Sequence, residues 1–378
     1  MTGSFLIQAA VFLAAAAIAA PIAKKLNISS VLGYLAAGVL IGPYGLGFVY
    51  AVYQVESILH IAEYGVALLL FLIGLELKPQ RLWTMRGSIF GLGAGQVAVT
   101  ALLLTPAAVF LGIAWDEAIF VGLALSLSST AFVLQVLEEK HELNTRHGRA
   151  AFSVLLFQDL AAIPLIAIVP LLGSGMAEEG LSPFGVVKAI AAIVLVVLVG
   201  RYALSTLYRL VATTGVREAM TASALLTVVG VALLMEAAGL SAALGAFLAG
   251  ALLADSPYRH QIEADIAPFE GLLLGLFFTA VGMALNLQLL SEQPAVIAAS
   301  VAGLLAIKAA VLYALGRWRG LDNAAARRLA LAVSQGGEFA FVLFATALGE
   351  SVIERELAEL LTVIVTLSML ATPVLLLA

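Results

Sequence analysis

The sequence predicts an all-α polytopic membrane protein with about thirteen transmembrane helices arranged as two inverted six-helix repeats. Three observations carry this expectation. Of 378 residues, 62% are hydrophobic and only 11% charged, and the mean hydropathy is +1.09; soluble domains carry about 25% charged residues, and a water-soluble globule of this size could not keep its surface wet with so few. The apolar residues come in continuous runs such as AAIVLVVLVG (191–200), not in the polar–apolar alternation of a transmembrane barrel. A segment of the first half also recurs in the second. At roughly 20 apolar residues per crossing of a ~30 Å hydrocarbon core, thirteen helices use roughly 260 residues and leave short loops with no room for a soluble domain.

The spans follow one another between short polar or Gly/Pro breaks. The first, 3–23, has no basic flank ahead of it and no A-x-A-like cleavage site, so it reads as a membrane helix and not a signal peptide. Runs at 30–47 and 55–77 come next, then 86–112. The glycines GLGAG (Gly91–Gly95) lie inside that fourth run without a strand–turn–helix context, which points to close helix packing and not a dinucleotide loop. The run 116–138 is interrupted by SLSST (Ser126–Thr130), and 148–172 contains FQDLAAIP (Phe157–Pro164). After a linking helix at 183–208 come 218–237, a short run at 241–254, and 266–287, which opens with polar residues. The last three are 293–316, which holds Lys308, 326–349, interrupted by SQGGE (Ser334–Glu338), and 357–377.

Lysine and arginine favour cytoplasmic loops. With the N-terminus outside, thirteen spans put sixteen of the nineteen basic residues on the cytoplasmic side; Arg355 falls outside, Lys188 begins a span and Lys308 lies within one. A miscount by one helix would scramble this division. The same count puts the C-terminus in the cytoplasm.

Aligning ISSVLGYLAAGVLI (28–41) with LSAALGAFLAGALL (240–253) gives six identities, among them Gly33/Gly245 and Gly38/Gly250. Nearly the same offset pairs Gly74 with Gly282, Gln80 with Gln288, and the AFVL of 131–134 with that of 340–343. An offset of seven spans turns the second copy upside down, so repeat one covers about 3–172 and repeat two about 218–377. Inverted repeats of this kind characterise secondary transporters, whose sites lie near the midplane at interrupted helices.

The interruptions SLSST and SQGGE occupy corresponding positions of the two repeats. Unwound backbone at membrane depth survives only where protein or a water-filled cavity satisfies it. Freed carbonyls and the hydroxyls of Ser126, Ser128, Ser129, Thr130 and Ser334, with the Gln335 amide, are hard oxygen donors suited to an alkali cation. Asp159 lies deep in an apolar stretch, where a carboxylate is a functional hypothesis by default. Burial disfavours the charged form, a bound cation favours it, and one carboxyl can therefore hold either a proton or a metal cation. Gln158 offers a carbonyl ligand without a second charge, so one proton should leave for each monovalent cation bound. Lys308 either pairs with Asp159 when the cation is absent, supports the broken helices as a fixed positive charge, or neutralises another acid such as Glu338. Glu338 either faces the broken helices or neutralises exposed helix N-termini. There is no cysteine, the four histidines show no ligand spacing, and the TVGYG filter of K⁺ channels is absent. No nucleophile–base pair, zinc motif or P-loop appears, so no enzymatic role, cofactor or nucleic-acid partner is expected.

Six segments resemble the membrane domain of the Kef glutathione-gated K⁺ efflux systems, within the monovalent cation/proton antiporter superfamily. They are SSVLGYLAAGVLIGP (29–43), FLIGLELKP (71–79), LSLSSTAFVLQ (125–135), LLFQDLAAIP (155–164), YRHQIEADIAPFEGLLLGLFFTAVGMALNL (258–287) and SQGGEFAFVLFA (334–345). The resemblance implies a Na⁺/H⁺ antiporter-like fold with crossed broken helices, a homodimer in the bacterial inner membrane, and a core domain that moves against a dimerisation domain. It implies K⁺ at Asp159 exchanged for H⁺ by alternating access, with Gln158 where electrogenic relatives have a second Asp and Lys308 where the superfamily has its membrane-embedded base. It also implies that HQIEAD (260–265) is a cytoplasmic regulatory loop, with His260, Glu263 and Asp265 in it. Kef systems continue into a cytosolic regulatory domain; it lies outside these 378 residues, and nucleotide and glutathione are expected only there. The residues by themselves leave Na⁺/H⁺ antiport and a ligand-gated K⁺ channel as alternatives.

Overall fold

A computed structural model describes residues 2–25, 30–42, 45, 67–72, 74–75, 87, 89–172, 183–237 and 242–375. Every regular element among them is helical. In chain order these are α1 (Thr2–Lys25), α2 (Ser30–Ile41), a helical stretch within 67–75, a π-helical turn (Ile89–Gly93) running into α3 (Ala94–Phe110), α4 (Trp115–Ser126), α5 (Thr130–Glu139), α6 (Arg146–Leu172) and α7 (Pro183–Thr214). The second half contains α8 (Arg217–Ala237), α9 (Ala242–Leu253), α10 (Arg259–Ala284), the short α11 (Gln288–Glu292), α12 (Pro294–Trp318), α13 (Asn323–Val333), α14 (Glu338–Gly349) and α15 (Arg355–Leu375).

Among the described residues, seven stretches are long and apolar enough to cross a membrane, the last of them formed by α13 and α14 together. Their outer faces carry bare apolar side chains, including Leu102, Phe110, Leu210 and Leu226; such a surface suits hydrocarbon, not water. Much of the expected 55–77 span and the start of 86–112 lie outside the described residues, as do Gln80 and three of the basic residues on which the orientation rests, Lys78, Arg81 and Arg86.

Local chemistry sets several boundaries. The Asp322 carboxylate accepts the Ala325 N–H at 2.8 Å and so caps α13. Those backbone N–H groups hold its carboxyl below the usual range. Pro294 opens α12, where its missing donor costs nothing. Three boundaries differ from expectation by more than a turn. Helix α2 stops at Ile41, with a bend at Gly42, where 30–47 was expected. Helix α7 continues to Thr214 instead of stopping at 208. Helix α10 starts at Arg259 instead of 266, so the HQIEAD segment is helical and not a loop. The reason is amphipathic: Ile262 and Ile266, four residues apart on one helix face, are both fully buried in the cluster that also holds Met235 and Tyr208.

The repeat seen in the sequence coincides with a pattern of close crossings. A Cβ on Gly38 of α2 would lie 2.1 Å from the Thr279 carbonyl oxygen of α10, and one on Gly282 of α10 would lie 2.2 Å from that of Leu35. In the other half, Gly250 of α9 stands in the same relation to Phe71 at 2.0 Å, and Gly74 to Phe247 at 2.3 Å. The repeat offset converts one set into the other: Gly38 to Gly250, Leu35 to Phe247, Phe71 to Thr279 and Gly74 to Gly282. Each half lends a glycine-faced helix to the other, and only hydrogen at these positions lets the backbones meet. Within the GLGAG run close packing requires glycine at Gly93, where a Cβ would lie 2.3 Å from that of Phe157; at Gly91 and Gly95 it would make only ordinary contacts.

Candidate functional site

Both expected interruptions are present. Helix α4 stops at Ser126, Leu127 is extended, and α5 begins at Thr130. Helix α13 stops at Val333, Ser334–Gly337 is irregular, and α14 begins at Glu338. With 12 and 10 residues in the first pair, and 11 and 12 in the second, each half rises about 15–18 Å at 1.5 Å per residue. Neither half crosses a ~30 Å core alone; α13 and α14 together form one of the stretches long and apolar enough to do so.

The breaks meet. A Cβ on Gly337 would lie 2.5 Å from the carbonyl of Ser128, so glycine is required where the two strands of unwound chain cross. Ser128 Oγ donates to the carbonyl of Val333, the last residue of α13, at 2.7 Å. Ser129 Oγ accepts the Phe132 N–H at 3.3 Å and caps α5. The Gly336 N–H donates to Ser368 Oγ at 3.0 Å.

Lys308 binds the crossing together. Its ammonium donates to the carbonyl oxygens of Leu125 at 3.0 Å, Leu127 at 2.7 Å and Gln335 at 2.8 Å. All three of its hydrogens are thereby engaged, and the side chain is fully buried. Its contacts join the backbones of both broken helices. Carbonyls left bare at the C-terminal ends of α4 and α13 carry partial negative charge, and the lysine answers it.

Asp159 stands thirteen residues from either end of α6. Its Oδ1 accepts a hydrogen bond from Thr130 Oγ1 at 2.8 Å, at the first residue of α5. Two carboxylates therefore stand at the positive ends of half-helices: Asp159 beside the start of α5, and Glu338 as the first residue of α14. Gln158 is oriented differently from its neighbour. Its Oε1 accepts the Ser128 N–H at 2.9 Å, and its Nε2 donates to Gln96 Oε1 at 2.6 Å. The amide expected as an ion ligand is thus engaged with the backbone of the first break. Ser126 contributes its carbonyl to Gln96 at 3.1 Å, while its hydroxyl turns back to Leu123. Ser334 Oγ makes a long bond to Leu331 at 3.3 Å. Gln335 is fully buried, and both polar atoms of its amide have no hydrogen-bond partner. A buried amide of this kind calls for a polar occupant beside it.

The structure therefore gathers Ser126, Ser128, Ser129, Thr130, Gln158, Asp159, Lys308, Ser334, Gln335 and Glu338 around one crossing. His260 and Glu263 stand apart on the first turns of α10, 3.6 Å from each other, with Asp265 buried on the same helix. Sequence reasoning missed Gln96, which is fully buried and bonds Thr100, Ser126 and Gln158. The signal available was the one that singled out Gln158: a lone amide in an apolar span. It also missed Ser368, whose partner is a backbone N–H.

The family model described as "Sodium/hydrogen exchanger, transmembrane" matches residues 11–377. The chain is 50% identical over 378 residues to the glutathione-regulated potassium-efflux system protein KefC of Escherichia fergusonii, covering all of this chain and 60% of that protein. It is 49% identical to the protein of the same name from Escherichia coli K12, with the same coverage. The chain thus spans 60% of the length of these relatives. Among solved structures, the sodium proton antiporter MjNhaP1 from Methanocaldococcus jannaschii matches with a TM-score of 0.72 at 16% identity, over 100% of this chain and 98% of that one. At that identity the likeness establishes the fold.

Proposed function

The chain belongs to the sodium/hydrogen exchanger family, and we propose that it exchanges K⁺ for H⁺, both ions competing for the carboxyl of Asp159. The observation that carries this reading is the setting of that carboxyl, at the midpoint of α6 and hydrogen-bonded to the hydroxyl at the start of α5. Ionised, Asp159 offers its oxygens to a cation beside the Thr130 hydroxyl; protonated, it is neutral and lets the cation go. Gln158 next to it carries no charge and is engaged with Ser128 and Gln96, so a single group changes charge in each cycle. One H⁺ then moves per monovalent cation, and the exchange is electroneutral. The fixed charge of Lys308 keeps the crossing assembled in both loading states.

Alternating access of this site to the two sides, in a homodimer of the bacterial inner membrane with the C-terminus in the cytoplasm, completes the proposal. The basic residues support that orientation: counted over thirteen spans with the N-terminus outside, sixteen of nineteen fall on the cytoplasmic side. Potassium as the cargo is supported by the 50% identity to a protein whose name specifies potassium efflux. A second reading, Na⁺/H⁺ exchange, rests on the family description and on the antiporter that shares the fold.

The test is proton movement in proteoliposomes driven by K⁺ or by Na⁺ gradients. We expect K⁺ gradients to drive it, an imposed membrane potential to leave it unchanged, and Asp159→Asn to abolish it while the protein still elutes as a folded species. Exchange by Asp159→Asn at the unaltered rate would overturn the assignment of the carboxyl. Dependence on Na⁺ alone would transfer the cargo to the second reading. Currents reversing at the K⁺ equilibrium potential, whatever the pH gradient, would mean a channel.

A further inference from the structure

A cavity of about 340 Å³ lies away from the crossing, between the start of α6, the turn after α12 and the π-helical turn at Ile89–Gly93. Three arginines line it, Arg146, Arg149 and Arg319, with Leu92, Ser153 and Leu321. We propose that this cavity binds a phosphate group.

The three arginines are exposed at the mouth of the hollow, where water screens much of their mutual repulsion, yet each is anchored there. Arg146 donates to the Gly320 carbonyl at 2.8 Å, Arg149 to that of Asn144 at 2.8 Å, and Arg319 to that of Gly87 at 2.5 Å. Each contact engages one nitrogen of a group with five N–H donors and leaves the remainder for a ligand. Ser153 donates its hydroxyl hydrogen to the Arg149 carbonyl at 2.9 Å, so it stiffens the wall and leaves recognition to the arginines.

Among the described residues one acid acts on the trio. Nearby Arg328 is paired with Glu142, which also holds His147 at 2.9 Å. Asp322 caps α13 through the Ala325 N–H and feels the charges of Arg146 and Arg317, and a single carboxylate offsets at most one of the three guanidinium groups. The unmet charge is positive, planar and forked, which suits a phosphate better than a carboxylate or chloride. The volume lies at the small end of the range for ligand pockets. Trp318 and Phe90, next in sequence to the cavity wall, are exposed, as at the edge of a bilayer. Basic pockets at that depth accept anionic lipid headgroups; a soluble phosphate ester presents the same group.

The test compares thermal melting of the purified protein in neutral detergent on addition of inorganic phosphate, phosphatidylglycerol or phosphatidylcholine. Phosphatidylglycerol raising the melting temperature, with inorganic phosphate inert, identifies a lipid headgroup; a rise with inorganic phosphate identifies a soluble source. Either supports the proposal if Arg149→Gln and Arg319→Gln each weaken the response about tenfold, the scale of one charge-assisted hydrogen bond, while the exposed Arg327→Gln does not. Should the glutamine variants fail to fold, Arg149→Lys and Arg319→Lys keep the charge and lose the fork, and a weakened response is expected from them too. A response equal for both lipids and absent with phosphate, or one that every variant retains, overturns the proposal.

Discussion

Replacing Lys308 by methionine keeps the volume of the side chain and removes every donor it brings to the crossing. Three carbonyls, those of Leu125, Leu127 and Gln335, then lose their partner. A buried acceptor left unsatisfied costs about 1–3 kcal/mol, so the three together cost about 3–9 kcal/mol. Removing a fully buried ammonium returns several kcal/mol of desolvation. The net loss should fall near 3–5 kcal/mol, the scale seen when one member of a buried charged contact is deleted. That lowers the folded-to-unfolded ratio by about two to three and a half powers of ten. Unfolding in mixed micelles of rising dodecyl sulfate content, followed by tryptophan fluorescence, reads the change directly, since Trp115 begins α4. Lys308→Gln retains two amide hydrogens and should recover part of the loss. A methionine variant as stable as the parent would refute the idea that this lysine holds the two breaks together.

Two further substitutions probe the same crossing. Gly337→Ala forces a methyl to within 2.5 Å of the Ser128 carbonyl, so we expect exchange to be lost and stability to fall, whereas Gly230→Ala on the open face of α8, where a Cβ meets nothing within 4 Å, should be silent in both assays. Gln96→Leu removes the acceptor for Gln158 Nε2 and the donor to Ser126; stability should fall by about 1–3 kcal/mol, and the exchange rate should drop in proteoliposomes because Gln158 no longer positions the Ser128 N–H. Parent-like rates in Gln96→Leu would remove that amide relay from the account.

The membrane class, the breaks and the central carboxyl were legible because each has a local signature. Apolar runs identify spans, Ser- and Gly-rich interruptions identify unwound helix, and Asp159 is an acid where acids are expensive. Partner choice was not legible. The partners of Lys308 are backbone carbonyls, which every residue possesses, so no side chain in the sequence points to them. Gln158 has the chemistry of an ion ligand, and only the position of Ser128 and Gln96 reveals that its amide is already engaged. The resemblance implied a loop at HQIEAD; burial of Ile262 and Ile266 against residues far away in the chain goes with a helix there. The repeat was legible as identities, but its use, glycine-faced helices exchanged between halves, depends on contacts far apart in the chain.

Infrared difference spectra of the reconstituted protein, recorded as K⁺ replaces choline at fixed pH, address the central claim most directly. Competition of the two ions for one carboxyl predicts that K⁺ abolishes a protonated-carboxyl band and releases one proton per protein chain, and that both signals vanish in Asp159→Asn. A band that persists at saturating K⁺, or one that K⁺ alters equally in Asp159→Asn, would contradict it.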